Sequence, residues 1–593
     1  MKLRRLVLAT LFAACGLAQA SLPEPVARLA AAGGIPEDAI GVLVLRGDNV
    51  LVANLPEQPR TPASTMKLVT TMVGLEELGP VFRGRTELRS SGDIVNGVLK
   101  GDLILRGGAD PDFNEDAFVH MLEKLRMQGI KRIAGDLVLD RQLWQPSRLD
   151  LGVAPFDEAP EAYYNVIPDA LLLNMNMLRI ELSSDDKALR FNHLPALERV
   201  SVQSDMTLVD ADCAKWEDGW KIPNYSRKGD RIIVELHGTF PRNCKKVTSI
   251  NVLDRQEYAA RLFRSIWTRL GGSFGGKVRD VGLAEHTAWI ERAAASHAAG
   301  AAPKATADAD PSAPLPAVTV GAGLAPDGTR LLAEHVSRAL PEIVRDTNKP
   351  SDNALARTIF LSLGSLQPDP VLGSRPLPAS TQLALLSAAA HGSGGALPAA
   401  AGAAGAMAAG PASGADANAA AGPFQPAATE ATVAGGAVAP AALQPVPAST
   451  AARAEQVVRN WMRRHGIDDT GLVLENGSGL ARIERISPVQ MAGVLKAAQK
   501  SLWAPEFQSS LPIVGVDGTM RRRLKDSVAA SRARIKTGTL RDVVAVAGYV
   551  PDADGNQCIV VAMVNHDRAG NGIGRGIVDA LIDWVAHSSA TIQ

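Results

Sequence analysis

Two residues of the chain have the types and the spacing that nucleophilic chemistry requires. Ser64 and Lys67 stand three residues apart in the stretch S-T-M-K, which follows Pro62 in a segment predicted to be a helix ending at Gly79. At that spacing both side chains share one face of the helix. A serine hydroxyl is a poor nucleophile until a base lies within reach, and a lysine is such a base only when desolvation or a neighbouring cation favours its neutral amine. By itself the pair is a weak signal, because about two S-x-x-K stretches arise by chance in a chain of this length.

Two further short motifs would complete such a site. Ser351 and Asn353, in the stretch S-D-N, stand at the start of a predicted helix, where a serine alone usually indicates only an N-cap. Lys536, Thr537 and Gly538 precede two apolar strands and are predicted to lie on an edge strand, where Gly538 would leave room for a substrate backbone. A K-T-G triplet arises by chance about once in ten such chains. The joint occurrence of the three motifs therefore indicates active-site serine chemistry.

The order S-x-x-K, S-x-N, K-T-G, with S-D-N as the second motif, is that of penicillin-binding proteins and class A β-lactamases. More narrowly, the chain resembles the D-alanyl-D-alanine carboxypeptidase/endopeptidase family of class C low-molecular-mass penicillin-binding proteins (peptidase family S13). That family has a long insertion between the first two motifs, and here Ser64 and Ser351 are 287 residues apart. The further matching stretches are residues 101–111, 135–140, 164–170, 348–353 and 476–482.

This resemblance implies a fold and a domain arrangement. The fold would be α+β: a penicillin-recognising, β-lactamase/transpeptidase-like domain with helices on an antiparallel sheet, split by a β-rich inserted domain. Residues 21–85 and 282–593 would form the two parts of the first domain, and residues 86–281 the insert. Two segments rich in Ala, Gly or Pro are expected to be a low-complexity linker (293–316) and a disordered insertion (376–452).

The resemblance also implies a role for each motif residue. Ser64 would attack the carbonyl of a terminal D-Ala-D-Ala, or of a D-Ala–diaminopimelate cross-link, and Lys67 would accept its proton. Ser351 and Asn353 would relay the proton to the leaving amine and hold Lys67. The enzyme would act on peptidoglycan stem peptides, be acylated by penicillins and need no cofactor.

The residues that bind the substrate are implied in the same way. Lys536 and Thr537 would bind the substrate carboxylate, and the backbone N–H groups of Ser64 and Thr539 would form the oxyanion hole. Arg482 matches a family position near the stem peptide, and an acidic residue of the insert would face the diaminopimelate side chain. The expected substrate-binding residues are Lys536, Thr537, Gly538, Thr539, Arg482, Asp157 and Glu158.

Two other functions fit parts of the pattern. A class A β-lactamase uses a further Glu for deacylation, and no Glu–three residues–Asn signature follows Ser351. A non-catalytic cell-wall-binding protein of the same fold would normally lack Ser64, Lys67 or Lys536, and all three are present. The glycine-rich segment 271–277 matches P-loop and nucleophile-elbow patterns, but it follows a predicted helix, so we interpret it as a helix end.

Charge and the N-terminal residues limit the remaining possibilities. The 593-residue chain has 62 Lys+Arg and 62 Asp+Glu, so nothing indicates electrostatic capture of nucleic acid or of an anionic membrane. Residues 1–20 have the cationic start, short apolar core and small-residue end of a cleaved secretory signal peptide, which predicts a periplasmic protein. Cys15 leaves a lipid anchor open. No later stretch reaches the length and apolarity needed to span a bilayer.

Three cysteines remain after that cleavage. Cys213 and Cys244 share one region with polar neighbours, and an oxidising compartment favours pairing, so we expect a disulfide between them. Cys558 stands in an apolar run and is expected to be a buried free thiol. No two cysteines have the spacing of a zinc site and no H-E-x-x-H occurs, so no metal is expected.

Overall fold

A computed structural model describes residues 22–153, 156–157, 159–298, 324–392 and 449–589 of the chain. The expected signal peptide lies outside these residues. The helices are α1 (Glu24–Ala32), α2 (Lys67–Glu77), α3 (Glu115–Met127), α4 (Arg255–Arg269), α5 (Leu283–Ala298), α6 (Leu340–Asn348), α7 (Asn353–Leu363), α8 (Ala379–Gly392), α9 (Thr450–Arg464), α10 (Pro488–Lys500), α11 (Ala504–Ser510) and α12 (Ile573–His587). The first strands are β1 (Ile40–Arg46), β2 (Asn49–Asn54), β3 (Arg85–Ser90), β4 (Asp93–Val95), β5 (Val98–Lys100), β6 (Leu103–Gly108), β7 (Arg132–Ile133), β8 (Leu137–Asp140), β9 (Leu178–Ser184), β10 (Leu189–Leu194), β11 (Val200–Ser204) and β12 (Thr207–Val209). The remaining strands are β13 (Trp220–Lys228), β14 (Arg231–Pro241), β15 (Lys245–Ile250), β16 (Ser273–Phe274), β17 (Val278–Asp280), β18 (Arg330–Val336), β19 (Leu366–Asp369), β20 (Gly373–Pro376), β21 (Arg534–Leu540), β22 (Val543–Pro551) and β23 (Gln557–Asn565).

The sheet that carries the K-T-G motif is antiparallel, with strand order β2-β1-β23-β22-β21. Successive side chains of a strand point to opposite faces. Val560 and Ala562 of β23 accordingly pack in the core formed with α1 and α12, whereas Val561 and Met563 pack in the core formed with α2 and α10. Helices therefore cover both faces of this antiparallel sheet, and the predicted α+β class is confirmed.

Strand β21 is the outer strand of that sheet on the side of the expected site. Apart from one bridge at Arg534, its outer side pairs with no strand among the described residues. Helices α2, α6, α7 and α9 pack against one another beside it, and buried Met72, Phe360 and Trp461 belong to their shared core. The first two motifs stand on this helical layer, and the third stands on the sheet edge.

Most of the strands lie between β3 and β17. Together with β18 they form four further sheets, in the orders β17-β8-β6-β3-β18, β16-β7-β5-β4, β10-β9-β15 and β11-β14-β12 with β13 beside β14. Their shared core also contains Phe118 of α3 and Phe263 of α4. Strand β18 pairs with β3 although it lies beyond the expected domain boundary at residue 281, so that sheet continues past the boundary. The domain division otherwise stays a prediction.

Both expected unfolded segments begin with helical residues. Helix α5 runs to Ala298, six residues into the expected linker 293–316, and the rest of that linker lies outside the described residues. Helix α8 covers 379–392 of the expected insertion 376–452, and α9 begins at Thr450; residues 393–448 lie outside the described part. Helical residues therefore extend into the ends of both expected segments, whose bounds stay a prediction. Alanine is the strongest helix former, so an Ala-rich composition does not by itself indicate disorder.

The structure joins Cys213 and Cys244 in a disulfide and leaves buried Cys558 free. Among the described residues, no helix combines the length and the apolarity needed to cross a membrane. Within the same residues, no three His, Cys, Asp or Glu side chains gather in a way that could hold a metal ion.

Candidate active site

Ser64 lies in a tight turn that leads into α2. The α-helix begins at Lys67, and residues Ala63–Met66 form a 3-10 turn instead of the first turn of the predicted helix. Ala63 has a φ of 45°, a left-handed conformation that costs a non-glycine residue about 1–2 kcal/mol. The preceding loop is held to the end of β23, because the Thr61 N–H donates to Asn565 Oδ1 at 2.8 Å and Asn565 Nδ2 donates to the Thr61 carbonyl at 3.1 Å.

Two glycines bring the rest of the site against this turn. A Cβ on Gly538 of β21 would lie 2.7 Å from the Pro62 carbonyl oxygen and 2.9 Å from the Ser64 nitrogen. A Cβ on Gly479, whose φ is +78°, would lie 1.8 Å from the Ala63 carbonyl oxygen. Real Cβ contacts are never this close, so glycine at both positions allows the K-T-G strand and the 476–482 loop to reach Ser64.

The amine of Lys67 lies at the centre of the site. Its Nζ is 2.9 Å from Ser64 Oγ, donates to Asn353 Oδ1 at 2.7 Å and donates to the Ser478 carbonyl at 2.5 Å. The side chain is fully buried. Burial lowers the pKa of Lys67 to about 7, while Glu484 and Asp352 act in the opposite direction. A substantial fraction of the amine is therefore neutral near pH 7 and can accept the Ser64 proton.

Asn353 connects the second motif to the first and to the strand-rich region. It is the first residue of α7, whose N-cap is Asp352; the Asp352 carboxylate accepts from the Leu355 N–H at 2.9 Å. The Asn353 amide donates to the Tyr164 carbonyl at 2.9 Å while its oxygen accepts from Lys67. Both ends of the amide are thus held. The Tyr163 hydroxyl donates to Asp352 from the same segment.

Lys536 and Ser351 form the other half of the site. Lys536 Nζ donates to Ser351 Oγ and to the Thr537 carbonyl, each at 2.8 Å. Its side chain is fully buried, and burial, together with the positive charge of Lys67, holds the pKa of Lys536 well below its ordinary range. Ser351 adopts a left-handed φ of 69°, which is uncommon for a serine. The two lysines are close enough to affect each other's charge.

The other K-T-G residues line the edge of β21. Gly538 is paired with Ala545 of β22, and Thr539 is exposed at the outer edge. The Thr537 hydroxyl donates to the Thr519 hydroxyl at 2.7 Å. Thr519 was not singled out from the sequence, because a lone threonine in the turn 518–520 carries no signal there.

The expected residues near the stem peptide also lie beside the site. Asp157 accepts hydrogen bonds from the Tyr164 hydroxyl at 2.8 Å and from Asn165 Nδ2 at 2.7 Å, in the segment whose Tyr164 carbonyl binds Asn353. The guanidinium of Arg482 stacks over the Phe156 ring at 5.4 Å. Burial raises the pKa of Asp157, but these hydrogen bonds and the charge of Arg482 outweigh it and lower the pKa. Glu158 lies outside the described residues.

Glu484 was missed by the sequence analysis. Its carboxylate is fully buried and accepts hydrogen bonds from four backbone N–H groups of the loop 475–479, the loop whose Ser478 carbonyl binds Lys67. In the sequence it stands between hydrophobic and basic residues, a pattern typical of a surface glutamate. Only the folded loop shows that four N–H groups converge on it.

Comparisons with known proteins give matches over most of the chain. Residues 22–294 and 437–587 match the model of the D-Ala-D-Ala carboxypeptidase 3 (S13) family. The chain is 24% identical over 515 residues to the D-alanyl-D-alanine carboxypeptidase DacB of Haemophilus influenzae, which covers 86% of this chain and 81% of that protein. A D-alanyl-D-alanine carboxypeptidase of an Actinomadura species is 34% identical over 110 residues, 18% of this chain and 20% of that protein.

The fold is also similar to a solved structure. The crystal structure of penicillin binding protein 4 (dacB) from Haemophilus influenzae superimposes with a TM-score of 0.61 at 21% sequence identity, covering 95% of this chain and 99% of that chain. Ser351 and Asn353 lie between the two matched ranges of the family model, yet their side chains contact Lys536 and Lys67, which lie within those ranges. The resemblance inferred from the motifs is confirmed, since the matched ranges make up more than half of the chain: it belongs to the D-Ala-D-Ala carboxypeptidase (S13) family of serine DD-peptidases.

Proposed function

We propose that the chain hydrolyses peptidoglycan stem peptides through an acyl-enzyme on Ser64, removing a terminal D-Ala and also cleaving D-Ala–diaminopimelate cross-links. The observation that carries this proposal is the buried Lys67 amine, 2.9 Å from Ser64 Oγ, with burial lowering its pKa to about 7. A buried neutral amine beside a hydroxyl is the arrangement that makes serine nucleophilic. The substrate is proposed from the D-Ala-D-Ala carboxypeptidase (S13) family to which the chain belongs.

In the first half of the reaction, Ser64 Oγ attacks the carbonyl carbon as Lys67 Nζ takes its proton. The negative oxygen that forms is stabilised by the backbone N–H groups of Ser64 and Thr539. The proton then passes from Lys67, with Ser351 as relay, to the leaving nitrogen, and the C–N bond breaks. The amine product departs and the acyl group remains on Ser64.

In the second half, a water molecule attacks the ester carbonyl while Lys67 takes a proton from it. The C–O bond to Ser64 breaks, and Lys67 returns the proton to the Ser64 oxygen. A penicillin would enter by the same first step, since its lactam carbonyl and carboxylate resemble those of the peptide; its acyl-enzyme would hydrolyse slowly.

Substrate binding is proposed to use both sides of this centre. Lys536, with Ser351 and Thr537, would hold the terminal carboxylate, and the arriving negative charge would favour the protonated form of the Lys536 amine. Asp157 and Arg482 would face the diaminopimelate side chain, whose ammonium and carboxylate have the opposite charges. Asp157 is partly exposed, and its partner Tyr164 provides the carbonyl that binds Asn353; because diaminopimelate is present in uncross-linked and cross-linked stem peptides alike, this contact would serve both activities. The chain would perform this chemistry in the periplasm after removal of the signal peptide.

The test is mass spectrometry of purified muropeptides after incubation with the enzyme. Trimming shows as loss of one D-Ala from monomers, and cross-link cleavage shows as conversion of dimers to monomers. The Ser64→Ala variant is the control and should leave both pools unchanged. Unchanged muropeptides with the parent enzyme would contradict the proposed substrate, and trimmed monomers with intact dimers would contradict the second activity alone.

A further inference from the structure

Glu484 lies outside the three motifs, yet it is among the most completely buried charged residues near the site. Its side chain is 0% exposed. Oε1 accepts from the N–H groups of Glu475 at 3.3 Å, Asn476 at 3.0 Å and Gly477 at 2.9 Å, and Oε2 accepts from Gly479 at 2.8 Å. All four contacts are donors, which fits an ionised carboxylate and not a carboxylic acid.

The loop 475–479, which Glu484 holds, also makes hydrogen bonds to helix α2. The Ser478 carbonyl accepts from Lys67 Nζ at 2.5 Å, and the Gly477 carbonyl accepts from Thr70 Oγ1, one turn further along α2, at 2.6 Å. Within the loop, Asn476 Oδ1 accepts from the Ser478 hydroxyl at 2.6 Å and from the Ser478 N–H at 3.0 Å. The N–H groups therefore converge on Glu484 while the carbonyls face the catalytic helix.

The charge of Glu484 also acts on Lys67. Burial is the largest influence on the Lys67 amine, and Glu484 is the first of the two carboxylates that oppose it; Asp352 is the second. Arg357 of α7 is a cation that lowers the pKa of the same amine, and the charges of Glu475 and Glu484 act on Arg357 in turn. Burial holds the pKa of Glu484 above its ordinary value, although the four backbone N–H groups act in the opposite direction.

We propose that Glu484 is a positioning residue for the general base: it holds the 475–479 loop so that the Ser478 carbonyl fixes the Lys67 amine beside Ser64, and it supplies a compensating negative charge. The proposal deepens the proposed serine chemistry and rests on it. Without the carboxylate, four N–H groups would lose their acceptor and the loop would lose its shape. The neutral amine would then spend less time in line with Ser64 Oγ.

The test compares the pH dependence of acylation by a fluorescent penicillin in the parent, Glu484→Gln and Glu484→Asp. Gln keeps the shape, removes the charge and turns an NH₂ group toward N–H donors; Asp keeps the charge and shortens the reach. For Gln we expect an acylation rate constant at least tenfold lower at its own optimum. Because an opposite charge near Lys67 is lost, the rising limb of the profile should also move to lower pH, by on the order of one unit. For Glu484→Asp we expect a lower acylation rate constant, with the rising limb of the profile at the same pH as in the parent.

Glu475→Gln is the matched control. It removes a carboxylate from the same loop, but that side chain is exposed, only its backbone N–H contacts Glu484, and its charge is not among those that shift the Lys67 pKa. The acylation rate constant and the rising limb should therefore match those of the parent. A folded Glu484→Gln variant with the parent's rate constant and limb would overturn the proposal. If that variant does not fold, the Asp variant decides: the parent's rate constant overturns the proposal and a reduced one supports it. A parent that is not acylated would contradict the proposed function itself, and this proposal with it.

Discussion

Replacing Asn353 by Asp should move the pH dependence of the enzyme in a direction opposite to that expected for Glu484→Gln. The substitution keeps the side-chain shape and places a carboxylate oxygen where the amide oxygen now accepts from Lys67 Nζ at 2.7 Å. An opposite charge at that distance raises a lysine pKa by about 1–3 units. Since burial holds the pKa of Lys67 at about 7, the variant would need a correspondingly higher pH before the amine becomes neutral.

The size of the effect follows from the neutral fraction of Lys67. With a pKa of about 7, half of the amine is neutral at pH 7. A rise of about 1 unit leaves roughly 9% neutral, and a rise of about 3 units leaves roughly 0.1%, so acylation at pH 7 should fall between about 5-fold and about 500-fold. Activity should return as the pH rises, because the rate follows the deprotonated base.

The assay is the second-order rate constant for acylation by a fluorescent penicillin, measured from pH 5.5 to 10. Asn353→Ala is the control, since like Asn353→Asp it loses the contact to the Tyr164 carbonyl, and it also loses the contact to Lys67 without adding a charge. Asn353→Ala should lower the acylation rate constant without moving the rising limb of the pH profile to higher pH. A rising limb at the same pH in the parent and in Asn353→Asp would refute the reasoning that Lys67 is the base.

Three further predictions concern the parts around the base. Gly479→Ala should strongly reduce acylation, because its Cβ would lie 1.8 Å from the Ala63 carbonyl oxygen. The control is Gly466→Ala, which carries the same backbone strain at a φ of +68° but has nothing within 4 Å of its Cβ, so it should leave acylation intact. Equal acylation by the two variants would show that the close approach is unimportant. Lys536→Ala should abolish acylation by carboxylate-bearing ligands. Its melting temperature should be unchanged or higher, because a buried amine with a depressed pKa is costly to the fold. A drop in melting temperature typical of a core mutation would contradict the binding role. Replacing 393–448 by a short Gly-Ser linker should preserve acylation, since every contact of the site described above lies elsewhere; a folded but inactive deletion would show that this segment takes part.

The sequence indicated which motif residues lie together, because the proposed chemistry requires particular residue types at particular spacings. Ser64 and Lys67 had to share a face, and the structure places their reactive atoms 2.9 Å apart. The contact of Lys536 with Ser351 joins residues 185 positions apart, and only the resemblance to a known family indicated that such motifs meet.

What the sequence could not predict depends on backbone geometry. The 3-10 turn at 63–66 replaces a regular helix start because the turn must fit against Gly479 and Gly538, which stand far away in the chain. Glu484 contacts backbone amides of one loop and Thr519 contacts a single hydroxyl, and neither leaves a periodic or compositional signal. Helices extend into the Ala-rich segments because alanine favours helix, and Leu385 and Leu386 of α8 are buried there.

The most direct test of the account is to locate the covalent adduct. After incubation with penicillin, intact-mass analysis followed by peptide mapping should show one acyl group, on the peptide that contains Ser64, and Ser64→Ala should show none. We expect this result because, within the described part of the chain, the Ser64 hydroxyl oxygen is the one that lies beside the Lys67 amine, at 2.9 Å. An adduct on Ser351 or another residue, or equal labelling of the Ala variant, would contradict it.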